Sequence, residues 1–408
     1  MKKPELLAPA GNLEKLKYAI VYGADAVYVG GKDFSLRAKA DNFSLEELEE
    51  GINFAHERGK KVYVAINIFP HNEDLEAMPS FIKRVALMGA DAFILSDPGV
   101  FTLVKELVPH IKIHLSTQAN SINWRSCIFW HNIGVNRIIL ARELSLKEIK
   151  EIREKVPETL ELEVFVHGSM CISYSGRCLL SNYLTFRDAN RGECAHPCRY
   201  KYYLVEEKRP GQYFPVFEDE RGTYIFNSKD LCMLDKLPLL LETGINSLKI
   251  EGRMKSLHYV AQVTKLYREA IDSAVENPDG FVFKEEWKQE LLKITHREYT
   301  HGFYFGKPDV NAQIYTSSTY SKEYEFVGVV KEYNKDTKKA FIEQRNPVKV
   351  GDKIEILSPD KKSFSFVINK MWDVEGNEID KAPHPKQIFQ IEVDIPLKPY
   401  DILRKPAE

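Results

Sequence analysis

Five of the six cysteines fall between positions 171 and 232: Cys171, Cys178, Cys194, Cys198 and Cys232. Thiolates hold iron–sulfur clusters, usually four to a cluster, at spacings that vary between proteins. Here five candidates are offered for four positions. Zinc also takes four cysteines, but its ligands usually come as tight C-x2–4-C knuckles. The pair Cys171 and Cys178 is too widely spaced for a knuckle, whereas Cys194-x3-Cys198 fits one. Free buried thiols are a third reading, since cysteine packs readily as a small hydrophobe. Five of them on one face of one fold weigh against it. An iron–sulfur cluster is therefore the favoured expectation and zinc the alternative. The sixth cysteine, Cys127 in SCIFW, sits in an apolar helical stretch and reads as core.

These cysteines must be carried by regular elements. Short apolar strands alternate with amphipathic helices along the first part of the chain. Expected strands are Glu5–Ala10, Ala24–Gly30, Lys61–Ile68, Ala90–Ser96, Lys112–Thr117, Arg137–Ala141, Glu161–His167 and Ile245–Glu251. Helical spacing marks Asn12–Tyr22, and Ser44-Leu-Glu-Glu reads as a capping box. Eight beats with continuous apolar strands predict an α/β fold, a (β/α)8 TIM-like barrel. An open doubly wound sheet is the alternative, but no G-x-G-x-x-G follows the first strand. The connection after the seventh strand is the long one, and it carries the cysteines, with Cys232 expected to open a helix. In such barrels the loops after the strands form the active face.

The boundaries follow from these changes of pattern. The barrel spans 1–276 with a cysteine-bearing insertion at 169–232, and a helical and aromatic connector spans 277–322. Residues 323–408 alternate short strands with turns, as in a small C-terminal β-barrel. The net charge of −2 excludes coating of nucleic acid by bulk charge, though not a local basic site. No apolar run is long enough to span a membrane, and MKKPELLAPAG lacks the core of a signal peptide. A cytoplasmic location is expected, where clustered cysteines bind metal or do redox work more often than they form disulfides. The oligomeric state is not legible.

The motif Glu163-x-Phe165-x2-Gly168-Ser169-Met170-Cys171-x4-Gly176-x-Cys178-x-Leu180-Ser181 resembles the signature of the U32 peptidase, or collagenase-like, family. FSLRAKADNF (Phe34–Phe43), NRGECAHPCR (Asn190–Arg199), NSKDLC (Asn227–Cys232), SLKIEGRMKS (Ser247–Ser256) and HGFYFGKP (His301–Pro308) extend the resemblance over nearly the whole chain. The resemblance implies more than its name. Family members include oxygen-independent hydroxylases that convert the wobble uridine of tRNA to 5-hydroxyuridine with prephenate as partner. Others act on a ribosomal RNA cytidine or a ubiquinone precursor, and several carry a [4Fe–4S] cluster. In length and in its C-terminal barrel this chain is most similar to the tRNA branch. The resemblance implies Cys171, Cys178, Cys194 and Cys232 as cluster ligands, with Cys198 as the substitute fourth.

A hydroxylase of this kind needs an anion pocket and a nucleobase slot beside its redox centre. Arginine suits bidentate pairing with a small dicarboxylate such as prephenate. Arg253, Arg142 and Arg37 follow the eighth, sixth and second strands on the predicted active face, with Arg253 the first choice. Each could equally form a salt bridge on the barrel rim. Glu251 belongs to the same KIEGR motif and is grouped with Arg253 as catalytic. His167 at the end of the seventh strand is a candidate proton donor, or a histidine that fixes the loop. Asn67 and Gln118 end the third and fifth strands, where an amide can read a base edge or brace the barrel mouth. Arg199-Tyr-Lys-Tyr-Tyr203 and Lys208-Arg209 interleave basic and aromatic residues as RNA-binding surfaces do. Lys331, Lys335, Lys338 and Lys339 form a second basic group, which a solvated face also explains. The peptidase alternative finds no G-x-S-x-G and no H-E-x-x-H, only Ser169 two residues from His167. A non-catalytic RNA-binding protein is the third reading.

Overall fold

The architecture was analysed in a computed structural model of the 408-residue chain. The described residues are 2–32, 34–35, 42–171, 173–174, 177–187, 189, 193–199, 203–205, 213–215, 227–306, 313–314 and 323–407. Eight parallel strands form the first sheet: β1 Glu5–Pro9, β2 Ala26–Gly30, β3 Lys61–Ala65, β4 Ala92–Leu95, β5 Lys112–Leu115, β6 Arg137–Ile139, β7 Glu161–Ser169 and β8 Ser247–Ile250. Leu248 of β8 pairs with Leu6 of β1 on one side and Val164 of β7 on the other, so the sheet closes into the expected TIM-like barrel. The strand interiors are almost wholly buried, as continuous runs of Val, Ile, Leu and Ala require when both faces are covered.

The first six covering helices are α1 Leu13–Val21, α2 Leu45–His56, α3 Asn72–Leu87, α4 Pro98–Leu107, α5 Trp124–Asn132 and α6 Leu146–Lys155. Five of the six begin at a side chain that accepts from their free N–H groups, α3 being the exception. Ser44 with Glu47 and Ser145 with Glu148 form capping boxes for α2 and α6. Cys127 is fully buried in α5, where it packs as core, and burial pushes its thiol up to about 12. The cysteine insertion holds the short helix α7 Leu180–Thr185, and α8 Leu237–Leu241 and α9 Leu257–Glu276 close the barrel shell.

Two features depart from the simple beat. Between Lys249 and Ile250 of β8 the partner on β7 advances from Phe165 to His167, so β7 carries a bulge at Val166. The Val166 carbonyl accepts instead from Met233 N–H at 3.0 Å and Tyr267 Oη at 2.7 Å. Second, the helix expected from Cys232 does not start there. Asp230–Cys232 is a strand that pairs antiparallel with the end of β7, Cys232 opposite His167. The polar run before it does not cap a helix: the Asp230 carboxylate accepts from the Arg297 N–H and faces Lys255 at 3.8 Å.

After α10 Glu285–Leu292 the chain builds a second sheet from β9 Tyr324–Asn334, β10 Lys339–Gln344, β11 Lys353–Leu357, β12 Phe364–Val367, β13 Met371–Trp372, β14 Glu378–Ile379, β15 Ile388–Glu392 and β16 Ile402–Pro406. These strands pair antiparallel in the order β12-β11-β16-β9-β10-β15-β13-β14, a half-barrel around its own apolar core. It docks on the first domain through Tyr18, Tyr22, Leu257 and Ala261 against Val329, Leu357 and Ile402. Fully buried Arg404 reaches from β16 to Gln262 of α9, Glu290 of α10 and Glu355 of β11. Lys331 and Lys338 on this domain pair with Glu343 and Asp394, and Lys339 lies over the Trp372 ring.

Candidate active site

A cavity of about 530 Å³ opens at the C-terminal ends of the barrel strands. Four cysteines line it: Cys171 and Cys178, which follow β7, and Cys194 and Cys198 from the later insertion. Helix α7 separates the two pairs. Its buried Ser181 accepts from the Ala195 N–H at 2.9 Å, which pins the second pair against the first. The sulfurs are not drawn together: among the described residues, no three His, Cys, Asp or Glu side chains are close enough to hold a metal ion. The donor set matches an iron–sulfur cluster's usual ligands in kind and number, and it sits at the barrel mouth, where such barrels carry their active sites.

Cys232 is not among these four. It is buried on the strand beside β7, 3.9 Å from Tyr267 Oη, and burial pushes its thiol up to about 12. His167 is displaced in the same way. Strand alternation predicts it on the face of Phe165, which lines the cavity, but the bulge turns it outward against α9. There it packs among the rings of Tyr259, Tyr267 and Tyr299, and burial lowers its pKa to about 3. Ser169 does face the cavity, so Ser169 and His167 lie on opposite sides of the barrel wall.

The remaining candidates converge. Arg142 donates to the Ser169 carbonyl at 2.8 Å and to Cys171 Sγ at 3.4 Å, and its guanidinium lies over the Phe165 ring. Buried Arg253 donates to Ser35 Oγ at 3.2 Å and Asn42 Oδ1 at 2.5 Å. Gly30 makes room for it: a Cβ there would meet the guanidinium at 2.3 Å. Glu251 accepts from Tyr28 Oη at 3.2 Å. Asn67 donates to Gln118 Oε1 at 2.7 Å, so the two amides brace each other at the mouth. Arg37, Lys208 and Arg209 lie outside the described residues, as do the side chains of Arg199–Tyr203.

Sequence reading missed Lys249. It lines the cavity beneath the arginines, 2.9 Å from Glu163 and over the Tyr28 ring at 4.4 Å. Glu163 in turn pairs with Arg137, and Arg137 with Glu5 and the half-exposed Glu161, which makes an ionic ladder from the surface into the barrel interior. Tyr63 Oη donates to Glu5 at 2.6 Å. Burial would raise the Glu5 carboxyl, but Arg137 and Tyr63 hold it below the usual range. The available signal was a charge at an inward position of an apolar strand: Lys249 in SLKI, Glu163 in EVF and Arg137 in RII. With Arg142, Arg253 and Lys255, Lys249 gives the described lining four cations against one carboxylate, Glu251. Two of the four, Lys249 and Lys255, have the carboxylates of Glu163 and Asp230 behind them, so the arginines carry most of the attraction for an anionic ligand.

No described helix is long and apolar enough to cross a membrane. The model of peptidase family U32 matches residues 11–314, and that of the family's C-terminal domain matches 322–404. The chain is 43% identical to tRNA hydroxylation protein P1 of Bacillus subtilis, over 99% of this chain and 95% of that protein. It is 41% identical to tRNA hydroxylation protein P of Escherichia coli, over 94% and 92%. An uncharacterized protease of Methanocaldococcus jannaschii is 42% identical over 90% of each chain. With both domains matched and these relatives aligned nearly end to end, the chain belongs to peptidase family U32.

Proposed function

We propose that this protein is an RNA hydroxylase that acts on tRNA and forms 5-hydroxyuridine at the wobble position, with prephenate as partner. The observation that carries the reading is the gathering of four cysteines and four cations around one cavity at the barrel mouth. Similarity to two proteins named for tRNA hydroxylation supports the RNA substrate. Cys171, Cys178, Cys194 and Cys198 would hold a [4Fe–4S] cluster, with Cys198 in place of the buried Cys232. When bound, the cluster supplies one-electron redox chemistry.

The protein's own side chains do the rest. Arg142 holds a positive N–H against Cys171 and fixes the start of the insertion through the Ser169 carbonyl. Arg253 and Lys249 receive the carboxylates of a small dicarboxylate from two sides. Glu251, oriented by Tyr28, is placed to accept or return a proton. His167 is too deeply buried to do so. The test is mass spectrometry of tRNA nucleosides from a deletion strain. Loss of 5-hydroxyuridine, restored by the wild-type gene and not by Cys194→Ser, is the expected result. Unchanged nucleosides in the deletion would refute the reading.

A further inference from the structure

Helix α7 has an inner and an outer side with different duties. Its inner Ser181 ties the two cysteine pairs together. Outward it holds Tyr183 and Phe186, 81% and 92% exposed, with Leu179 beside them at 66%. Exposed apolar side chains gathered at one short helix mark a contact surface more often than single ones do. Phe186 adds a second observation. It ends α7 in the left-handed conformation, at φ 55°, where glycine or asparagine is the usual residue. The backbone holds a bulky ring in a disfavoured conformation, and the result is a ring in solvent. Such local strain gathers where function requires it.

The surroundings say what would cover these rings. Tyr174 and Cys178, just before α7, line the cation-rich cavity, and exposed Arg177 stands between them. A partner that lies on α7 and continues into the cavity must be anionic and must offer flat apolar faces. Single-stranded RNA meets both demands, because every base has a face that stacks and every linkage a charge.

We infer that Tyr183 and Phe186 form a stacking platform for unpaired bases flanking the nucleotide that enters the cavity. This rests on the RNA substrate proposed above and adds the place where its neighbours bind. Binding of bulk bacterial tRNA to the full-length protein tests it, with Tyr183→Ala and Phe186→Ala each compared with wild type. Stacking on an aromatic ring corresponds to roughly 5- to 150-fold in affinity per base, so each alanine variant should weaken binding within that range. Phe186→Trp should preserve binding, and Phe186→Leu, apolar but unable to stack, should not. Unchanged affinity in both alanine variants overturns the platform, as does full binding by Phe186→Leu. A change of oligomeric mass in the alanine variants, with tRNA affinity intact, would assign the surface to a second copy and overturn it as well. If wild type itself fails to bind tRNA, the RNA reading falls first, and that outcome is distinct from failure of the platform alone.

Discussion

The Nη2 of Arg142 lies 3.4 Å from Cys171 Sγ, which sets a guanidinium N–H against a cysteine sulfur at the cavity wall. A cationic donor on a thiolate strengthens the contact and tunes whatever the sulfur binds. Replacement of Arg142 by Met should leave the fold intact and lower tRNA hydroxylation roughly 10- to 100-fold, the worth of a hydrogen bond to a charged group. In anaerobic protein carrying the proposed cluster, its reduction potential should move to more negative values, read by redox titration. Lysine should rescue only part, since it lacks the planar fork that reaches both Cys171 and the Ser169 carbonyl.

Cysteine substitutions should divide into two groups. Serine at Cys171, Cys178, Cys194 or Cys198 should reduce bound iron and acid-labile sulfide in anaerobically purified protein. Alanine at Cys232 should leave both near wild type and cost stability instead. In iron-free native protein, exposed Cys171 should react quickly with iodoacetamide, while buried Cys127 and Cys232 stay protected. Iron lost only on substitution of Cys232, with Cys198 dispensable, would return the fourth position to the buried thiol.

His167 gives the protein an acid limb. The unfolded chain protonates this ring near pH 6.5, whereas the folded protein resists until about pH 3. Its contribution is complete above pH 6.5 and is lost as pH falls through that window, by up to about 1.4 kcal/mol per unit. Between pH 7 and 5 the wild type should lose roughly 2 kcal/mol that His167→Phe does not lose. Urea unfolding at the two pH values measures the difference, and parallel losses would exclude His167 as the source.

The ionic ladder is a matter of pairing. Arg137 is nearly fully buried against Glu5 and Glu163, so Arg137→Leu takes from Glu5 its cation inside the barrel, whereas Glu163 keeps Lys249. A loss of about 3–5 kcal/mol is expected in urea unfolding. The double variant Arg137→Leu with Glu5→Gln should recover part of it, because it also removes the stranded charge, whereas Glu163→Gln would strand Lys249.

The barrel was legible because its strands are buried on both faces, and that requirement writes apolar runs that no loop needs. The half-barrel was legible from its turns. The cysteine cavity was legible in part: proximity in sequence brought four thiols to one mouth, but nothing in the spacing marks Cys232 as lying behind the wall. Its flanks, Leu231 and Met233, are as apolar as a helix start would allow. His167 was misplaced for a different reason. Alternation along β7 is a sound rule until a residue is inserted, and the cause of that insertion, the Tyr267 hydroxyl and the Met233 amide claiming the Val166 carbonyl, comes from far along the chain. Lys249 was overlooked because a lone lysine in an apolar strand looks like an edge residue until the closed barrel leaves it no edge.

The bulge at Val166 makes the count of residues in β7 as consequential as their kinds. Gly168 follows it at φ 111°, and a Cβ there would lie 2.5 Å from the Glu251 carbonyl, so the strand cannot absorb a change by local rearrangement. Deleting one residue between Phe165 and Ser169 would swing the imidazole inward and carry Cys171 away from Arg142. Tolerance to substitution and tolerance to altered length should therefore part company here, and natural variation in this segment should run to exchanged side chains at constant spacing.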